Sequence, residues 1–173
     1  MTAEQLAHVS WPDKVTELVR GQLVVREPPG AQHGSVASRL TYYLGDFVYR
    51  KRLGVLFAQD TGFHIESNPD TVRAPDVAFV AQARAGALEE RGYSRVAPDL
   101  VAEIVSPGDR PAEVRAKVAD WLAAEVKLVW VIDPRQRAAE IHRADGTVSA
   151  HAASLDGEDV LPGFSCSIND LLL

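Results

Sequence analysis

One apolar segment of the chain contains a single carboxylate at a position that a β-strand would bury. Its sequence is Asp99-Leu100-Val101-Ala102-Glu103-Ile104-Val105. Burying Glu103 there without a partner would cost roughly several kcal/mol, so its charge has to be offset. A bound cation would do this, and so would a buried Arg or Lys that pairs with Glu103 and does nothing else. A second acid, Asp76, opens another apolar segment that ends at Val80.

Length and composition favour one well-cored domain in a reducing compartment. The chain has 173 residues, 46% of them hydrophobic, which predicts a single domain over 1–173 with residues 1–10 as an N-terminal lead-in. The only cysteine, Cys166, excludes an internal disulfide. The N-terminus lacks the features of a signal peptide, and no apolar run is long enough to span a bilayer. We therefore expect a cytoplasmic protein with no membrane partner.

The charge balance constrains how the chain could bind nucleic acid. Acidic residues outnumber basic ones by 24 to 18, and the formal net charge is −6. Tight, non-specific binders of duplex DNA usually carry a basic excess, because affinity scales with the number of neutralised phosphates. Any contact with nucleic acid must therefore depend on a local patch or on metal ions that offset the acids.

Apolar periodicity predicts a mixed α/β fold. A strand, a helix and a strand follow one another over Asp99–Val105, Arg110–Glu125 and Lys127–Ile132, and a longer amphipathic helix covers His33 to Lys51. This order implies a mixed β-sheet flanked by helices. The other predicted elements are strands at 15–19 and 22–26, a run of strands between 55 and 80, a long mobile connection over 82–97, a hairpin over 139–151 and a short C-terminal helix.

Asp76 and Glu103 are the pair most able to share a metal ion. Asp99 lies on the same strand face as Glu103 but about 13 Å away at roughly 3.3 Å per residue, too far for one cation. Asp99 is better explained as a strand-start residue that bonds nearby backbone. Asp76 opens a different strand that can lie beside Glu103. Carboxylates with a backbone carbonyl are hard oxygen ligands, which Mg²⁺ or Mn²⁺ prefers.

Short motifs extend over nearly the whole chain from about Trp11 onward. They are Glu17–Val24, His33-Gly34, Thr61-Gly62-Phe63, Ala74–Val80, Pro98–Pro107, Lys117, Val129–Pro134 and Leu161–Phe164. In their order and spacing these stretches resemble the Uma-type restriction endonuclease family of the PD-(D/E)xK nuclease superfamily. The resemblance implies a restriction-endonuclease-like central mixed sheet with helices on both faces. It also implies that Asp76, Glu103 and the Ile104 carbonyl hold Mg²⁺ or Mn²⁺.

The chain departs from the superfamily pattern at one position. The lysine expected two residues after the second acid is replaced by Val105. Lys117, on the following helix, resembles the relocated lysine of the family, which implies a catalytic role in orienting water or stabilising developing charge. The alternative is an ordinary i,i+4 pair between Lys117 and Glu113, worth a few tenths of a kcal/mol on a solvated face.

Other candidate site residues have two interpretations each. Glu17 aligns with an acid that the family carries on its first strand and would be an outer metal ligand or hold a ligand in place; otherwise it is an exposed hairpin charge. His33, near a helix start, would receive a phosphate or accept a proton, or would be a capping or partly buried histidine. Three loop arginines are placed to meet phosphates beside the acids: Arg84, Arg91 and Arg95.

Together these observations predict a metal-dependent endonuclease that hydrolyses phosphodiester bonds, with DNA favoured as the substrate. The need to cut two strands, and the fold relatives of the family, imply a homodimer. One alternative is a nuclease-fold module that binds protein or nucleic acid but has lost turnover, which the acidic balance and Val105 favour. Another is a phosphodiesterase that uses the same acids on a small molecule.

Overall fold

The computed structural model of the chain describes residues 1–9 and 11–172 and contains five helices and twelve strands in these ranges. The helices are α1 (Ala3–Ala7), α2 (Ala31–Lys51), α3 (Gln82–Ala85), α4 (Pro111–Ala123) and α5 (Ile168–Leu171). The strands are β1 (Val15–Val19), β2 (Gln22–Arg26), β3 (Gly54–Ala58), β4 (Phe63–Glu66), β5 (Thr71–Arg73), β6 (Val77–Ala81), β7 (Leu100–Ile104), β8 (Leu128–Asp133), β9 (Ala138–Arg143), β10 (Val148–Ala152), β11 (Ser154–Asp156) and β12 (Ser165–Ser167).

A six-stranded mixed sheet forms the centre of the molecule. Its strand order is β10-β9-β8-β7-β6-β3. The strands β7 and β8 are parallel and are joined by α4, whereas the other neighbours in this sheet are antiparallel. The predicted strand–helix–strand unit is therefore present, and the expected α/β class with a mixed sheet flanked by helices is confirmed.

The two faces of the central sheet are covered by different helices. Alternate residues of β8 point to opposite faces of the sheet. Trp130 packs in the hydrophobic cluster between the sheet and α2 (the α2 core), and Val129 packs in the cluster between the sheet and α4 (the α4 core). The same alternation in β7 places Val101 in the α4 core. Glu103, two residues further on, therefore projects from the α4 face of the sheet. A sheet covered on both sides explains why β7 and β8 are almost continuously apolar.

The amphipathic pattern of α2 corresponds to the face that it buries. Leu40, Leu44 and Val48 recur at helical spacing and are fully buried against the sheet. The helix ends at Arg52, which adopts a left-handed conformation, and Gly54 then begins β3. A Cβ atom on Gly54 would lie 2.1 Å from the Val80 carbonyl oxygen, so only glycine permits this close pairing with β6.

A smaller sheet lies beside the central one and carries part of the site. Its strand order is β2-β1-β5-β4, and β11 and β12 form a separate two-stranded sheet. The lead-in segment contributes to this region, because α1 buries Leu6 against Leu18 and Val72. Strand β5 has no predicted counterpart, since three residues are too few to show alternation.

The predicted helix boundaries differ from the observed ones by a few residues. Helix α2 begins at Ala31 rather than His33, and α4 covers Pro111–Ala123 rather than Arg110–Glu125. The predicted long connection over 82–97 contains the short helix α3 and a bridge between Phe63 and Ser94. In the described part of the chain, no helix has the length and apolar character needed to cross a membrane.

Candidate active site

The strand pairing brings Asp76 and Glu103 together. Val77 of β6 lies opposite Ala102 of β7, and extending this antiparallel register by one residue places Asp76 opposite Glu103. Asp76 Oδ2 accepts a hydrogen bond of 2.7 Å from the backbone N–H of Ile104. The two acids therefore lie side by side at the point where β6 begins and β7 ends.

Both oxygens of Glu103 accept hydrogen bonds from α4. Lys117 Nζ donates to Oε2 at 2.7 Å, and the Trp121 indole N–H donates to Oε1 at 2.8 Å. Lys117 and Trp121 are four residues apart, so they lie on one face of the helix. Glu103 is only 5% exposed, so both contacts are shielded from water. The alternative pair between Lys117 and Glu113 is not formed, since Glu113 contacts Arg26 at 3.6 Å instead.

Asp76 is held from its other side by a histidine and an amide. His33 Nε2 lies 3.1 Å from Asp76 Oδ2, and Gln59 Nε2 lies 3.4 Å from Asp76 Oδ1 and 3.2 Å from His33 Nδ1. Because the Gln59 amide donates a hydrogen bond to Nδ1, the ring proton is assigned to Nε2, and Nε2 donates it to Asp76. His33 is buried, which agrees with the interpretation of a partly buried histidine. Its ring also contacts Asp76, one of the predicted metal ligands.

Glu17 is buried and does not carry an exposed hairpin charge, so that interpretation is wrong. It is 2% exposed, and its carboxylate accepts hydrogen bonds from Arg73 Nη1 at 3.1 Å and from the Ala74 backbone N–H at 3.2 Å. Arg73 also donates to Asp120 of α4 at 2.6 and 3.0 Å. These bonds link β1, α4 and the segment that leads directly to Asp76.

The site contains more negative than positive charge at its centre. Burial raises the pKa of Glu103 above its usual value; Lys117 opposes this, and the neighbouring Asp76 and Glu17 add to it. Burial alone would lower the pKa of Lys117, but Glu103, Glu17 and Asp76 outweigh it and raise that pKa, so the ammonium stays charged. Arg73 pairs with Glu17, which leaves Asp76 and Glu103 as two acids beside the single ammonium of Lys117, an arrangement that a divalent cation would complement.

A cleft gives solvent access to these groups. It has a volume of about 440 Å³ and is lined by Glu17, Arg26, His33, Asp76 and Lys117, among others. A second cleft of about 300 Å³ adjoins Asp76 on the side of Gln59 and Lys14. The acids are therefore buried at their bases but can be reached by a ligand through Asp76 and Lys117.

The donor set suits a metal ion that keeps several water ligands. Among the described residues, no group of three or more His, Cys, Asp or Glu side chains is arranged to hold a metal. The set predicted from sequence has only two carboxylates, Asp76 and Glu103, with the carbonyl of Ile104. Two carboxylates with water are typical of Mg²⁺, so the residues fit the ion in chemical type.

Two of the three loop arginines lie away from the acids, so their predicted placement is wrong. Arg84 contacts Asp99 at 3.1 Å, and Asp99 is at the opposite end of β7 from Glu103. Arg95 lines a surface cleft that it shares with Arg84 and Lys127. Asp99 also accepts hydrogen bonds from the Ala81 backbone N–H at 2.8 Å and from Lys127 at 2.9 Å. It therefore bonds nearby backbone, as a strand-start residue should.

Several residues of the site have no counterpart in the sequence analysis. They are Arg26, Gln59, Arg73, Asp120 and Trp121. Trp121 fits the apolar stripe of α4, and its four-residue spacing from Lys117 was the only signal of a shared role. Arg73 lies three residues before Asp76, but its partners are 56 and 47 residues away in sequence. Contacts of that range leave no local pattern.

Comparison with known proteins relates the chain to a solved structure and to a family. A crystal structure described as that of "a putative nuclease belonging to DUF820" from Anabaena variabilis superposes with a TM-score of 0.83 and 19% sequence identity. The match covers 99% of this chain and 97% of that one. The two chains therefore share the same α/β fold over nearly their whole lengths. No functionally curated protein matches the sequence.

The family follows from the sequence itself. Residues 3–169 match Uma2, the family described as "Putative restriction endonuclease". Because this match covers nearly the whole chain, the protein belongs to the Uma2 family. The resemblance noted from the motifs is therefore confirmed.

Proposed function

We propose that the protein is a metal-dependent endonuclease that hydrolyses phosphodiester bonds, with DNA as its substrate. The observation that carries this proposal is the contact of buried Glu103 with Lys117 beside Asp76, at the base of an accessible cleft. An ammonium and two carboxylates at one point are what attack of water on a phosphodiester needs. The family description as a restriction endonuclease supports DNA over RNA.

In this proposal the chain's own residues bind the metal ion, orient the attacking water and stabilise the developing negative charge. Asp76, Glu103 and the Ile104 carbonyl would hold Mg²⁺ or Mn²⁺. The metal, when bound, would polarise a phosphoryl oxygen and promote deprotonation of the attacking water. Lys117 would orient that water and stabilise negative charge as the new P–O bond forms and the leaving P–O bond breaks. The proton lost by the attacking water would pass to solvent, and the leaving oxygen would take a proton from solvent.

The supporting residues act through Asp76 and Glu103. His33 and Gln59 fix the orientation of Asp76, and Trp121 fixes that of Glu103. Glu17 holds the backbone of Ala74, two residues before Asp76, and is therefore better suited to positioning than to metal ligation. Glu113 lies at the margin of the site, where it contacts Arg26.

A homodimer would allow both strands of a duplex to be cut, because each subunit would contribute one site. The mass of one chain is 18.8 kDa. Light scattering on the purified protein should therefore give about twice this mass by twofold association. A mass of one chain would limit the proposal to nicking or to single-stranded substrates.

Cleavage assays with matched variants test the proposed activity. Purified wild type should cut plasmid DNA in Mn²⁺ and not in a chelator, and Asp76→Asn should abolish the cut. Asp46→Asn is the control, because Asp46 lies in the C-terminal part of α2, where it pairs with Arg50 on the surface. Single-stranded DNA, RNA and a nitrophenyl phosphodiester, each at the same protein concentration, identify the substrate class.

The outcomes separate the proposal from its two alternatives. Equal activity of wild type and Asp76→Asn would contradict the nuclease proposal. Absence of cleavage with retained nucleic-acid or protein binding would indicate a module that has lost turnover. Hydrolysis of the nitrophenyl ester with no cleavage of any polynucleotide would indicate a small-molecule phosphodiesterase.

A further inference from the structure

Arg26 lies at the cleft with hydrogen-bond donors that no other described residue uses. It ends β2, and its side chain is 29% exposed. The nearest acids are Glu17 and Glu113, each at 3.6 Å, and Asp109 at 3.9 Å, all beyond hydrogen-bond distance. Its Nε is buried and has no hydrogen-bond partner among the described residues. A buried, unsatisfied guanidinium N–H in a folded protein requires an explanation.

Arg73 shows what a structural arginine looks like in the same region. It is 4% exposed and shares Glu17 with Arg26. Its guanidinium forms three hydrogen bonds, two to Asp120 and one to Glu17, at 2.6 to 3.1 Å. Arg73 therefore donates its hydrogen bonds to carboxylates inside the protein. Arg26 faces the same carboxylate but leaves its donors available.

Arg26 shares the walls of two spaces with the proposed reacting groups. It lines the 440 Å³ cleft together with His33, Asp76 and Lys117. It also lines a cavity of about 20 Å³ whose other walls include Glu103, Ile104 and Lys117. Arg26 and Lys117 thus line both spaces, of which the larger adjoins Asp76 and the smaller adjoins Glu103.

We propose that Arg26 binds the phosphate of the substrate, by hydrogen bonds from its guanidinium to the non-bridging oxygens. The inference rests on the proposed function, which supplies a phosphodiester as the ligand. A planar guanidinium matches two phosphate oxygens at once, which an ammonium cannot do. Glu17, Asp109 and Glu113 keep Arg26 at the cleft by charge attraction without occupying its donors. Arg26 also supplies the positive charge that an acidic chain needs where a phosphate must bind.

The competing explanation is that Arg26 only neutralises its three acidic neighbours. That role requires charge but no hydrogen bonds to a ligand, so Arg26→Lys would preserve it. A phosphate-binding role requires the guanidinium, so Arg26→Lys should lose much of it. Arg50→Gln is the control for loss of an arginine, since Arg50 is 77% exposed on α2 and pairs with Asp46.

Titration of inorganic phosphate in Mg²⁺, followed by NMR of arginine side-chain N–H groups, tests the proposal without cleavage. The wild-type Arg26 Nε–H signal is assigned by its absence in Arg26→Lys. We expect it to shift on titration, with phosphate affinity lowered about tenfold or more in Arg26→Gln, in line with the loss of charged hydrogen bonds. The phosphate affinity of Arg26→Lys should lie between those of wild type and Arg26→Gln, and the affinity of Arg50→Gln should equal that of wild type.

The outcomes also distinguish this inference from the proposed function. An Arg26 signal that does not move with phosphate would overturn the inference, and this result needs no folded variant other than the Arg26→Lys protein used to assign the signal. Equal phosphate affinity in wild type and a folded Arg26→Gln would overturn it as well. If phosphate binds through Arg26 but the wild type cuts no phosphodiester, the phosphate site stands and the nuclease activity falls. If cleavage occurs, Arg26→Gln should lower kcat/KM while Mg²⁺ affinity stays within about twofold, as expected for a contact to substrate alone.

Discussion

Trp121 donates its indole N–H to Glu103 Oε1 at 2.8 Å, one helical turn beyond Lys117, which donates to the other oxygen of the same carboxylate. One helix therefore satisfies both oxygens of a buried acid. The same Trp121 is fully buried in the α4 core, so the orientation of Glu103 is tied to the packing of that helix. This relationship connects the stability of the fold to the geometry of the site.

Trp121→Phe should destabilise the fold and reduce activity. The change removes a hydrogen bond to a buried carboxylate and part of a buried ring, which together should cost about 2 kcal/mol or more in the free energy of unfolding. Urea denaturation followed by circular dichroism measures this loss. Trp11→Phe is the control, because Trp11 is 49% exposed and should change the stability little. Equal stability of the two variants would contradict a structural hydrogen bond to Glu103.

Lys117→Met should separate turnover from metal binding. Without the ammonium, phosphodiester cleavage should fall by about 10²-fold or more. Mn²⁺ should bind at least as tightly as in wild type, because the variant lacks the positive charge of Lys117, which repels the cation at the two carboxylates. Cleavage assays and calorimetric titration measure the two effects. Unchanged cleavage, or the loss of metal binding together with cleavage, would indicate that Lys117 has only a structural role.

The acid dependence of stability should report on Asp99. Burial favours its neutral form, but the Ala81 N–H, Lys127 and Arg84 outweigh burial and lower the pKa of Asp99 below its usual range. A lowered folded-state pKa stabilises the fold above the unfolded pKa, and this stabilisation is lost as pH falls through the folded pKa. Asp99→Asn should therefore be less stable than wild type above about pH 5, and the difference should shrink below about pH 3. Urea denaturation across this range measures it, and a difference independent of pH would contradict the assignment.

Cys166 should be unreactive in the folded protein. It is 5% exposed, and burial, together with Asp170, raises its pKa to about 11. Thiolate is the reactive form, so a disulfide reagent at pH 8 should not modify the folded chain over minutes. The urea-unfolded chain should react at its one thiol under the same conditions. Rapid modification of the folded protein would show that the β11–β12 region opens.

The parts of the site that sequence indicates are those encoded by strand pattern. Asp76 and Glu103 each interrupt or open an apolar strand, so their burial and proximity follow from periodicity and pairing. Arg73 and Arg26 show no such pattern, because they meet acids of α4 only when the smaller sheet packs beside that helix. Gln59 shows none either, because it meets His33 and Asp76 only when α2 packs beside the start of β6. The wrong prediction for Arg84 also arises because its contacts are set by the assembled fold and not by its position in the sequence. Its position in the chain precedes Glu103, but in space it lies at Asp99, at the other end of β7.

A metal site at Asp76 and Glu103 is tested most directly by calorimetric titration of Mn²⁺ into wild type, Asp76→Ala and Asp46→Asn, with circular dichroism confirming that all three are folded. Wild type and Asp46→Asn should bind Mn²⁺ with similar affinity. Asp76→Ala should not bind it, because one of two carboxylate ligands is lost while Glu103 stays paired with Lys117. Equal binding by Asp76→Ala and wild type, or no binding by a folded wild type, would contradict a metal site at the Asp76–Glu103 pair.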